Sequence, residues 1–235
     1  MKYLVWDIDG TLIKTGRAGL HALKQTMLDL YSIETEFDFP AGGRTDRFIS
    51  YELLKKVAHI PLAEQEQHSH KILKYYEEIL PAFLQQYQGE IMPNVTAILD
   101  FIAPQQTAYT STLLTGNTLK GAIAKMHRYG LKHYFDFSLG VFGDNSICRN
   151  ELSQQFLQNL QNLQPQINPK DIIIIGDTLH DIECAQHIGA KCIAVATGSV
   201  SLETLTQANP WRAYAELPHS PRICQTISSL NPALH

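Results

Sequence analysis

The chain has 235 residues, of which 44% are hydrophobic, and 19 basic against 23 acidic residues give a formal net charge of −4 at pH 7. A chain of this length can bury one large core, or a core and a smaller domain. The lack of a basic tail or stripe argues against nucleic acid as a main partner, and no long apolar run indicates a signal peptide or a membrane span. We therefore expect a soluble, cytoplasmic protein without nucleic-acid or membrane partners.

A pair of acidic residues follows the first predicted strand. The apolar run at residues 3–6 is followed directly by Asp7 and Asp9, and then by Gly10 and Thr11. Two carboxylates this close repel each other unless a cation, a shared proton or hydrogen-bond donors offset their charge. The pair therefore indicates chemistry, although Asp, Gly and Thr are also ordinary residues of a surface turn.

Helices are predicted through the long stretch from about residue 14 to about residue 92. Apolar residues recur at helical spacing over residues 20–31 and 48–60, which indicates two amphipathic helices. The same spacing over residues 72–87 predicts a third. Pro81 interrupts this third pattern and is expected to kink or split the helix, because proline cannot donate the backbone hydrogen bond.

A second β-prone run, residues 108–114, ends in the small polar turn Thr115-Gly116-Asn117. The hydroxyl of Thr115 and the amide groups of Gly116 and Asn117 could hold phosphate oxygens. A turn that enters a helix presents unpaired N–H donors to an anion. The alternative is that this turn only caps the helix that begins near Thr118.

A second pair of acidic residues follows a run of isoleucines. Residues 172–175 suit a strand that is buried on both faces of a parallel sheet, and Gly176 marks its carboxyl end. Asp177 and Asp181 come next. Because ligands bind beyond the carboxyl ends of parallel strands, we expect Asp177 to lie near Asp7, and oxygen ligands at such a point favour magnesium over zinc.

The other segments are interpreted as scaffold. They are a strand at residues 135–139, a helix at 154–166 with one buried face, an edge strand at 213–217, and a last helix that starts at Ser220-Pro221 and carries Ile223, Ile227 and Leu230.

Cysteines and histidines suggest no further site. The cysteines, interpreted as reduced and structural, are Cys148, Cys184, Cys192 and Cys224. His68 and His70 are two residues apart, so they would point to different faces of a helix, which favours a solvated surface over a metal site. His180, inside the second acidic motif, receives no role.

These motifs together resemble the haloacid dehalogenase (HAD) superfamily, and within it the phosphoglycolate phosphatase-like branch. Residues 7–11 resemble its DxDGT signature, Thr115 its strand-ending threonine, and Asp177 with Asp181 its GDxxxD motif. The resemblance extends to about residue 198, because residues 194–198 look like the family's next strand and loop. Order, spacing and strand context agree, which makes the match far more specific than any single motif.

The resemblance implies an α/β fold. A Rossmann-like parallel sheet flanked by helices would comprise residues 1–14 and 93–235, and an inserted, all-helical cap domain would comprise residues 15–92. In related caps, the loop between the first two helices faces the catalytic edge. Arg44 in this loop could bind an anion of the substrate, and Arg17 is a weaker candidate. The alternative is that Thr45 or Asp46 caps the next helix while the arginines of the loop stay in water.

The family also carries a lysine or arginine between the third strand and the Asp177 strand. Beyond Lys132, the candidates are Arg149 and Lys170, and Lys170 would lie at the opposite end of the sheet. Arg149 is therefore the candidate, against the alternative of a solvated arginine at a helix start. Its rigid donor fork could bridge a phosphoryl group and Asp7.

The resemblance implies magnesium-dependent hydrolysis of a phosphate monoester through an aspartyl-phosphate. In this mechanism, Asp7 attacks phosphorus, and Asp9 donates a proton to the leaving alkoxide and later takes one from water. Mg²⁺ would be bound by Asp7, the backbone carbonyl of Asp9 and Asp177. Asp181 would hold a coordinated water or orient Arg149.

Two other classes of function stay open. A phosphomutase of the same fold would use the same core residues, and a non-enzymatic binding protein would need a retired phosphatase site. Dehalogenation is disfavoured, since it does not need the second cluster of acids. The expected partner is a small phosphorylated metabolite such as phosphoglycolate, and the chain is expected to be a monomer or a homodimer.

Overall fold

The fold is taken from a computed structural model of the chain that describes residues 1–36, 39, 41–144 and 146–228, without the side chains of residues 220, 221, 224 and 228. The strands are β1 (Lys2–Trp6), β2 (Ile13–Lys14), β3 (Glu90–Ile91), β4 (Tyr109–Leu113), β5 (Ile172–Gly176), β6 (Lys191–Val195) and β7 (Arg212–Tyr214). The helices are α1 (Ala18–Tyr31), α2 (Asp46–Glu52), α3 (Leu62–Gln86), α4 (Val95–Ile102), α5 (Leu119–Arg128), α6 (Arg149–Leu163), α7 (Leu179–His187), α8 (Leu202–Gln207) and α9 (Ser220–Ser228).

Five strands form one parallel sheet in the order β4-β1-β5-β6-β7. In this order β1 lies between β4 and β5, with Leu4 paired to Ser111 on one side and to Ile173 on the other. All strands of the sheet point the same way, so the residues that follow β1, β4 and β5 emerge side by side at one edge. This arrangement brings the three sequence motifs together.

Helices cover both faces of the sheet, and the alternation of strand side chains decides which helix meets which residue. Ile173 and Ile175 pack in one hydrophobic cluster with residues of α4, α5 and α9, whereas Ile172 and Ile174 pack in another with residues of α6, α7 and α8. All four isoleucines are completely buried. The predicted α/β class and the doubly covered isoleucine strand are confirmed.

The stretch between β2 and β3 is built from α1, α2 and α3, as its apolar periodicity predicts. These helices enclose a third hydrophobic cluster that contains Met27, Leu53, Tyr76 and Leu80. β2 and β3 pair antiparallel where the chain enters and leaves this stretch, with Lys14 opposite Glu90. The division into a core and a cap domain at residues 15–92 stays a prediction.

Of the two effects expected of Pro81, a kink or a split of the third helix, the split is wrong. α3 runs without a break from Leu62 to Gln86. The ring of Pro81 lies on an exposed position, while Leu80 and Leu84 beside it are buried against the neighbouring helices. Tertiary packing on the buried face therefore holds the helix together although proline removes one backbone donor.

Two other boundaries differ from the prediction. The second helix ends at Glu52 and continues as a π-helical turn, Leu53–Val57. Residues 135–139 form no strand; they follow a short 3₁₀ helix, Lys132–Tyr134, and make a turn. Asp136 fixes this turn, because its carboxylate accepts hydrogen bonds from the backbone N–H of Ser138 at 2.9 Å and from its hydroxyl at 2.6 Å.

The C-terminal elements agree with the sequence in type and differ in length. α6 starts at Arg149, five residues before the predicted stretch at 154, and β7 covers only Arg212–Tyr214. α9 starts at Ser220 as predicted, whereas Leu230 lies outside the described residues. Among the described helices, none combines the length and the apolar character that a bilayer crossing requires.

We expect Pro81→Ala to raise the free energy of unfolding by about 2 kcal/mol. Alanine is favoured over proline in a helix interior by roughly 3 kcal/mol, because it restores the backbone hydrogen bond and removes the clash of the ring with the preceding turn. About 1 kcal/mol of this gain is offset because the unfolded chain gains freedom. Urea titration measures the change. Gln85→Ala, at another exposed position of α3, is the control and should shift stability by less than about 0.5 kcal/mol. Unchanged or reduced stability of Pro81→Ala would contradict this account of the helix.

Candidate active site

Three buried aspartates meet at the carboxyl edge of the sheet. Asp7 follows β1, and Asp177 and Asp181 follow β5; one carboxylate oxygen from each lies within 4.8 Å of the others. Their exposed fractions are 4%, 3% and 0%. The carboxylates of two distant segments are therefore buried close together. Their mutual repulsion and desolvation cost free energy unless positive charge or hydrogen-bond donors compensate them.

Arg149 supplies positive charge to this cluster. Its Nη2 atom lies 2.6 Å from Asp181 Oδ1 and 3.3 Å from Asp7 Oδ1, and its Nη1 atom donates to the backbone oxygen of Gly43 at 3.3 Å. The side chain is 5% exposed. Burial lowers the pKa of Arg149, but Asp181 and Asp7 outweigh burial and hold it above its ordinary value. The alternative of a solvated arginine at a helix start is therefore wrong.

Asp181 is fully engaged by the protein itself. Its Oδ1 atom pairs with Arg149, and its Oδ2 atom accepts hydrogen bonds from the backbone N–H and the hydroxyl of Thr178 at 2.9 and 2.7 Å. These contacts also cap α7. Because both of its oxygens are occupied, Asp181 is better suited to orienting Arg149 than to binding an ion directly.

The carboxyl groups of Asp7 and Asp177 resist ionisation at this place. Burial raises both pKa values; Asp181 raises them further, Arg149 opposes the shift in both, and a hydrogen bond from Thr11 opposes it at Asp177. Each carboxylate also raises the pKa of a neighbouring carboxyl, because like charges repel. The cluster as folded thus lacks positive charge.

Two glycines make room for Asp177. A Cβ atom on Gly198 would lie 1.7 Å from Asp177 Oδ2, and one on Gly10 would lie 2.4 Å from the same atom. Gly10 also adopts a φ of +87°, which other residues rarely tolerate. The close approach of these backbones holds the Asp177 carboxylate against the Asp7 segment.

The turn after β4 places Thr115 and Asn117 beside the acidic cluster. Thr115 is completely buried, and its hydroxyl oxygen accepts a hydrogen bond from Asn117 Nδ2 at 2.8 Å. Its own O–H has no acceptor among the described residues, so it is left to donate. The helix cap is formed by Thr118, which accepts from Gly121 N at 3.1 Å, so the capping alternative does not account for Thr115.

Lys125 belongs to the site and was missed by the sequence analysis. Its Nζ atom lies 2.6 Å from Asp9 Oδ2 and 2.5 Å from Asn117 Oδ1. The sequence prediction considers cations only beyond Lys132, whereas Lys125 lies in α5. One signal was available: Lys125 lies three and four residues from the buried Ala122 and Gly121, so it shares their face of the helix.

The loop at residues 41–47 closes over this edge. The backbone N–H of Asp46 donates to the oxygen of Gly116 at 2.7 Å, and Asp46 Oδ2 accepts from the N–H of Thr118 at 2.9 Å. Burial raises the pKa of Asp46 to about 6, against an opposing effect of Lys125. Thr45 caps α2, as the alternative reading of the loop has it, by accepting from the N–H of Phe48.

The two arginines of this loop have different surroundings. Arg44 stacks on the ring of Phe48 at 4.8 Å and lines the cavity above the aspartates. Arg47 points to another side, where it binds both oxygens of Glu66 at 2.7 Å and the backbone oxygen of Asp144 at 3.1 Å. Only Arg44 is therefore placed to meet a ligand in that cavity.

A cavity of about 410 Å³ lies between the sheet edge and the helices α1–α3. Its polar lining includes Asp7, Asp9, Thr115, Lys125, Arg149 and Asp177. Its other side is formed by residues of the helical stretch that include Arg17, Leu20, Arg44, Ile49 and Tyr76. The cavity therefore has an acidic side, at the sheet edge, and an opposite side of apolar and cationic residues from the helical stretch.

The remaining candidates lie outside this arrangement. His180 Nδ1 is 3.0 Å from Glu183 Oε2, His68 Nδ1 is 2.8 Å from the Tyr31 hydroxyl, and His70 Nδ1 is 3.6 Å from Glu66. Cys148, Cys184 and Cys192 are unpaired, and the Cys224 side chain lies outside the described residues. In the described part of the chain, the only group of histidine, cysteine or acidic residues close enough to share an ion is the aspartate cluster.

Residues 4–195 match the family of haloacid dehalogenase-like hydrolases. The chain belongs to this family. It is 25% identical over 207 residues, covering 88% of the chain and 86% of the relative, to a Dickeya dadantii (strain 3937) protein named "Probable phosphatase IndB". The family match and this relative confirm the expectation of an enzyme of the phosphatase type.

Solved structures agree with this family in fold. A Haemophilus somnus 129PT protein described as a "predicted phosphoglycolate phosphatase" superposes with a TM-score of 0.67 at 18% identity, covering 96% of this chain and 98% of that one. A Thermotoga maritima protein provisionally named a beta-phosphoglucomutase gives 0.58 at 17% identity, with coverage of 97% and 99%. Proteins named for hydrolysis and for transfer thus share this architecture.

The aspartate cluster of this HAD-family chain fits a divalent cation. Three carboxylates facing one guanidinium leave an excess of two negative charges when all are ionised, in a place where burial disfavours ionisation. The donors are hard oxygens, which suit Mg²⁺. Arg149 and Thr178 occupy both oxygens of Asp181. The ion would therefore be held by Asp7 and Asp177.

We expect Mg²⁺ to raise the melting temperature of the protein at pH 8. At a Mg²⁺ concentration one hundred times Kd, the free energy of unfolding should rise by about 2.7 kcal/mol. Without Mg²⁺, stability should fall as the pH rises through neutrality. The folded-state pKa values of Asp7 and Asp177 are raised, so the folded protein holds protons that the unfolded chain has lost, and this advantage disappears with rising pH.

Asp177→Asn tests whether the buried charge of Asp177 causes the expected pH dependence and the expected response to Mg²⁺. It removes one buried charge and should raise the melting temperature of the metal-free protein at pH 8 and remove most of the response to Mg²⁺. Asp29→Asn, in an exposed hydrogen-bonding network on α1, is the control and should keep the full response. A Mg²⁺-induced shift in Asp177→Asn equal to that of the wild-type protein would contradict this site.

Proposed function

We propose that the protein is a magnesium-dependent phosphatase that hydrolyses a small phosphate monoester through an aspartyl-phosphate on Asp7. One observation carries this proposal: the carboxylate of Asp7, paired with Arg149 and close to Asp177, lines a cavity of about 410 Å³ together with Thr115, whose hydroxyl is left to donate. A nucleophile, an ion-binding carboxylate and two phosphate donors thus converge on one point.

Asp7 is the nucleophile. One carboxylate oxygen attacks phosphorus, and the bond from phosphorus to the ester oxygen breaks. We assign the hydroxyl of Thr115 and the guanidinium of Arg149, which line the same cavity as Asp7, as donors to the phosphoryl oxygens, on which negative charge is concentrated. The amide group of Gly116 adds a third donor from the same turn, and the short polar side chain of Asn117 fixes the threonine.

Asp9 is the general acid and base. It lines the cavity two residues after the nucleophile, and its side chain is 44% exposed, unlike that of Asp7. It gives a proton to the leaving alkoxide. It then takes a proton from a water molecule that attacks phosphorus, the bond to Asp7 breaks, and inorganic phosphate leaves.

Mg²⁺ would be held by the carboxylates of Asp7 and Asp177 together with the backbone carbonyl of Asp9. When bound, it supplies positive charge that offsets repulsion between the phosphate and the carboxylates. Arg149, oriented by Asp181 at 2.6 Å, adds a fixed positive charge on the other side of Asp7.

The substrate is a small anion such as phosphoglycolate. The cavity of about 410 Å³ is at the small end of the range for ligand sites, and the loop at residues 41–47 closes it. Arg44 and, closer to the entrance of the helical stretch, Arg17 contribute cations on the side opposite the aspartates. We therefore assign these residues to the part of the substrate that does not react, and residues 15–92 to a cap domain.

A phosphomutase is the second candidate, since a protein of this architecture carries a mutase name. It would return the phosphoryl group from Asp7 to another hydroxyl of a sugar. A non-enzymatic binding protein would hold the anion without turnover. Cytoplasmic location and the choice between monomer and homodimer stay predictions of the sequence.

Asp7→Asn should abolish turnover, lowering kcat by at least about a thousandfold, because the amide is a poor nucleophile. A panel of phosphorylated metabolites and an aryl phosphate, assayed for inorganic phosphate with and without Mg²⁺, measures this. Circular dichroism confirms that the variant is folded. Activity of Asp7→Asn close to that of the wild type would refute the assignment of Asp7 as the nucleophile.

The same panel distinguishes the candidate functions of the wild-type protein. Transfer without phosphate release would establish the mutase, and no turnover of any ester by the wild type would favour the binding protein.

Arg44→Ala should raise KM about tenfold with little change in kcat. A charged hydrogen bond to a substrate anion is worth roughly 1.5–3 kcal/mol, and the contact is remote from the reacting phosphorus. Arg47→Ala is the matched control from the same loop, because its guanidinium is occupied by Glu66. Equal KM values for the two variants would remove Arg44 from the substrate site.

A further inference from the structure

We propose that Lys125 is a positioning residue that, together with Asn117, fixes the carboxylate of Asp9 so that only its Oδ1 atom exchanges a proton with substrate and water. This inference rests on the proposed function, since it assigns an orientation to the general acid. Lys125 touches neither the phosphoryl group nor the nucleophile in this account; it acts through Asp9.

The first observation is the burial of a cation at this point. The side chain of Lys125 is 5% exposed, and its Nζ atom is 2.6 Å from Asp9 Oδ2 and 2.5 Å from Asn117 Oδ1. A buried ammonium group is costly unless it is paired and hydrogen-bonded. Both contacts of Lys125 are with residues of the candidate site, so its burial serves that site.

The second observation is the fixed orientation of the Asn117 amide. Its oxygen accepts from Lys125, and its nitrogen donates both to Asp9 Oδ2 and to the Thr115 hydroxyl, each at 2.8 Å. The lysine therefore determines which end of the amide faces Asp9. One continuous network joins the general acid to the threonine that is placed to bind phosphate.

The third observation is the asymmetry of the Asp9 carboxylate. Oδ2 accepts from two donors, Lys125 and Asn117, whereas Oδ1 has no partner among the described residues. A proton on Oδ2 would meet two N–H groups, so it belongs on Oδ1. The Asp9 side chain is 44% exposed and lines the cavity. Among the described residues, the hydrogen bonds from Lys125 and Asn117 are therefore what keeps its carboxylate from rotating.

Lys125→Met tests this role, with Lys120→Met as the matched control on the same helix. Lys120 is 73% exposed and pairs with Glu77. Two substrates are compared: the alkyl phosphate from the panel that the wild type hydrolyses fastest, and 2,4-dinitrophenyl phosphate, whose leaving group needs little protonation. Lys125→Met should lower kcat/KM at least about tenfold for the alkyl ester and less than about threefold for the aryl ester, because kcat/KM reports the transfer of the phosphoryl group to Asp7 and not the later hydrolysis, which needs Asp9 for both esters. Lys120→Met should leave both unchanged.

A double-mutant cycle separates positioning from a general loss of structure. In an Asp9→Asn background, Lys125→Met should change the rate with the aryl ester by less than about twofold, because the group it positions is already absent. Lys125→Arg keeps the charge with a different reach and should show the same preference for the aryl ester, which provides a second variant if Lys125→Met fails to fold.

Three results would overturn the inference: an equal loss of kcat/KM with both esters, a further loss of kcat/KM in the Asp9→Asn background, or wild-type values of kcat/KM in Lys125→Met. The proposed function fails separately, when the wild-type protein releases phosphate from no ester. If the wild type is active, Asp9→Asn is impaired and Lys125→Met behaves like Lys120→Met, the phosphatase stands and the role of Lys125 falls.

Discussion

The pairing of Arg149 with Asp7 and Asp181 is the interaction on which the candidate site depends. It places one positive charge among three buried carboxylates, holds the nucleophile candidate by one oxygen, and ties the end of β1 to the start of α7. One guanidinium does not balance three carboxylates. Burial raises the pKa values of Asp7 and Asp177, and repulsion between the carboxylates adds to this effect. The positive charge that is still missing explains why a divalent ion fits the cluster.

Closure by the loop at residues 41–47 turns this edge into a cavity. Asp46 binds the backbone of Gly116 and Thr118 across the gap, and Arg149 donates to the backbone of Gly43, so the loop is hydrogen-bonded both to the turn after β4 and to the arginine of the aspartate cluster. Partial exclusion of water strengthens electrostatic contacts in the cavity, which suits the small, highly charged ester proposed as the substrate. In the proposed function, the loop thus links the residues that face the substrate to those that carry out the chemistry.

Much of the fold and most of the site could be predicted from the sequence, because both rest on local patterns. The isoleucine strand, the apolar periodicity of α1 and α3 and the acids at strand ends have their meaning within a few residues. Predictions failed in two segments. Pro81 does not split α3, because the residues beside it are buried against neighbouring helices, and residues 135–139 form a turn, because Asp136 accepts hydrogen bonds from Ser138. Lys125 was missed because its partners, Asp9 and Asn117, are brought to it by the sheet and by the turn before α5.

The sequence by itself determined which residue types follow the predicted buried strands, and thereby the family and the chemistry proposed for it, since the motifs, their order and their spacing are properties of the chain. Only the tertiary structure decided which of their oxygen atoms the protein already engages. A carboxylate oxygen accepts only a few hydrogen bonds, and three-dimensional contact commits Asp181 to Arg149 and Thr178 and gives Oδ2 of Asp9 two donors, Lys125 and Asn117.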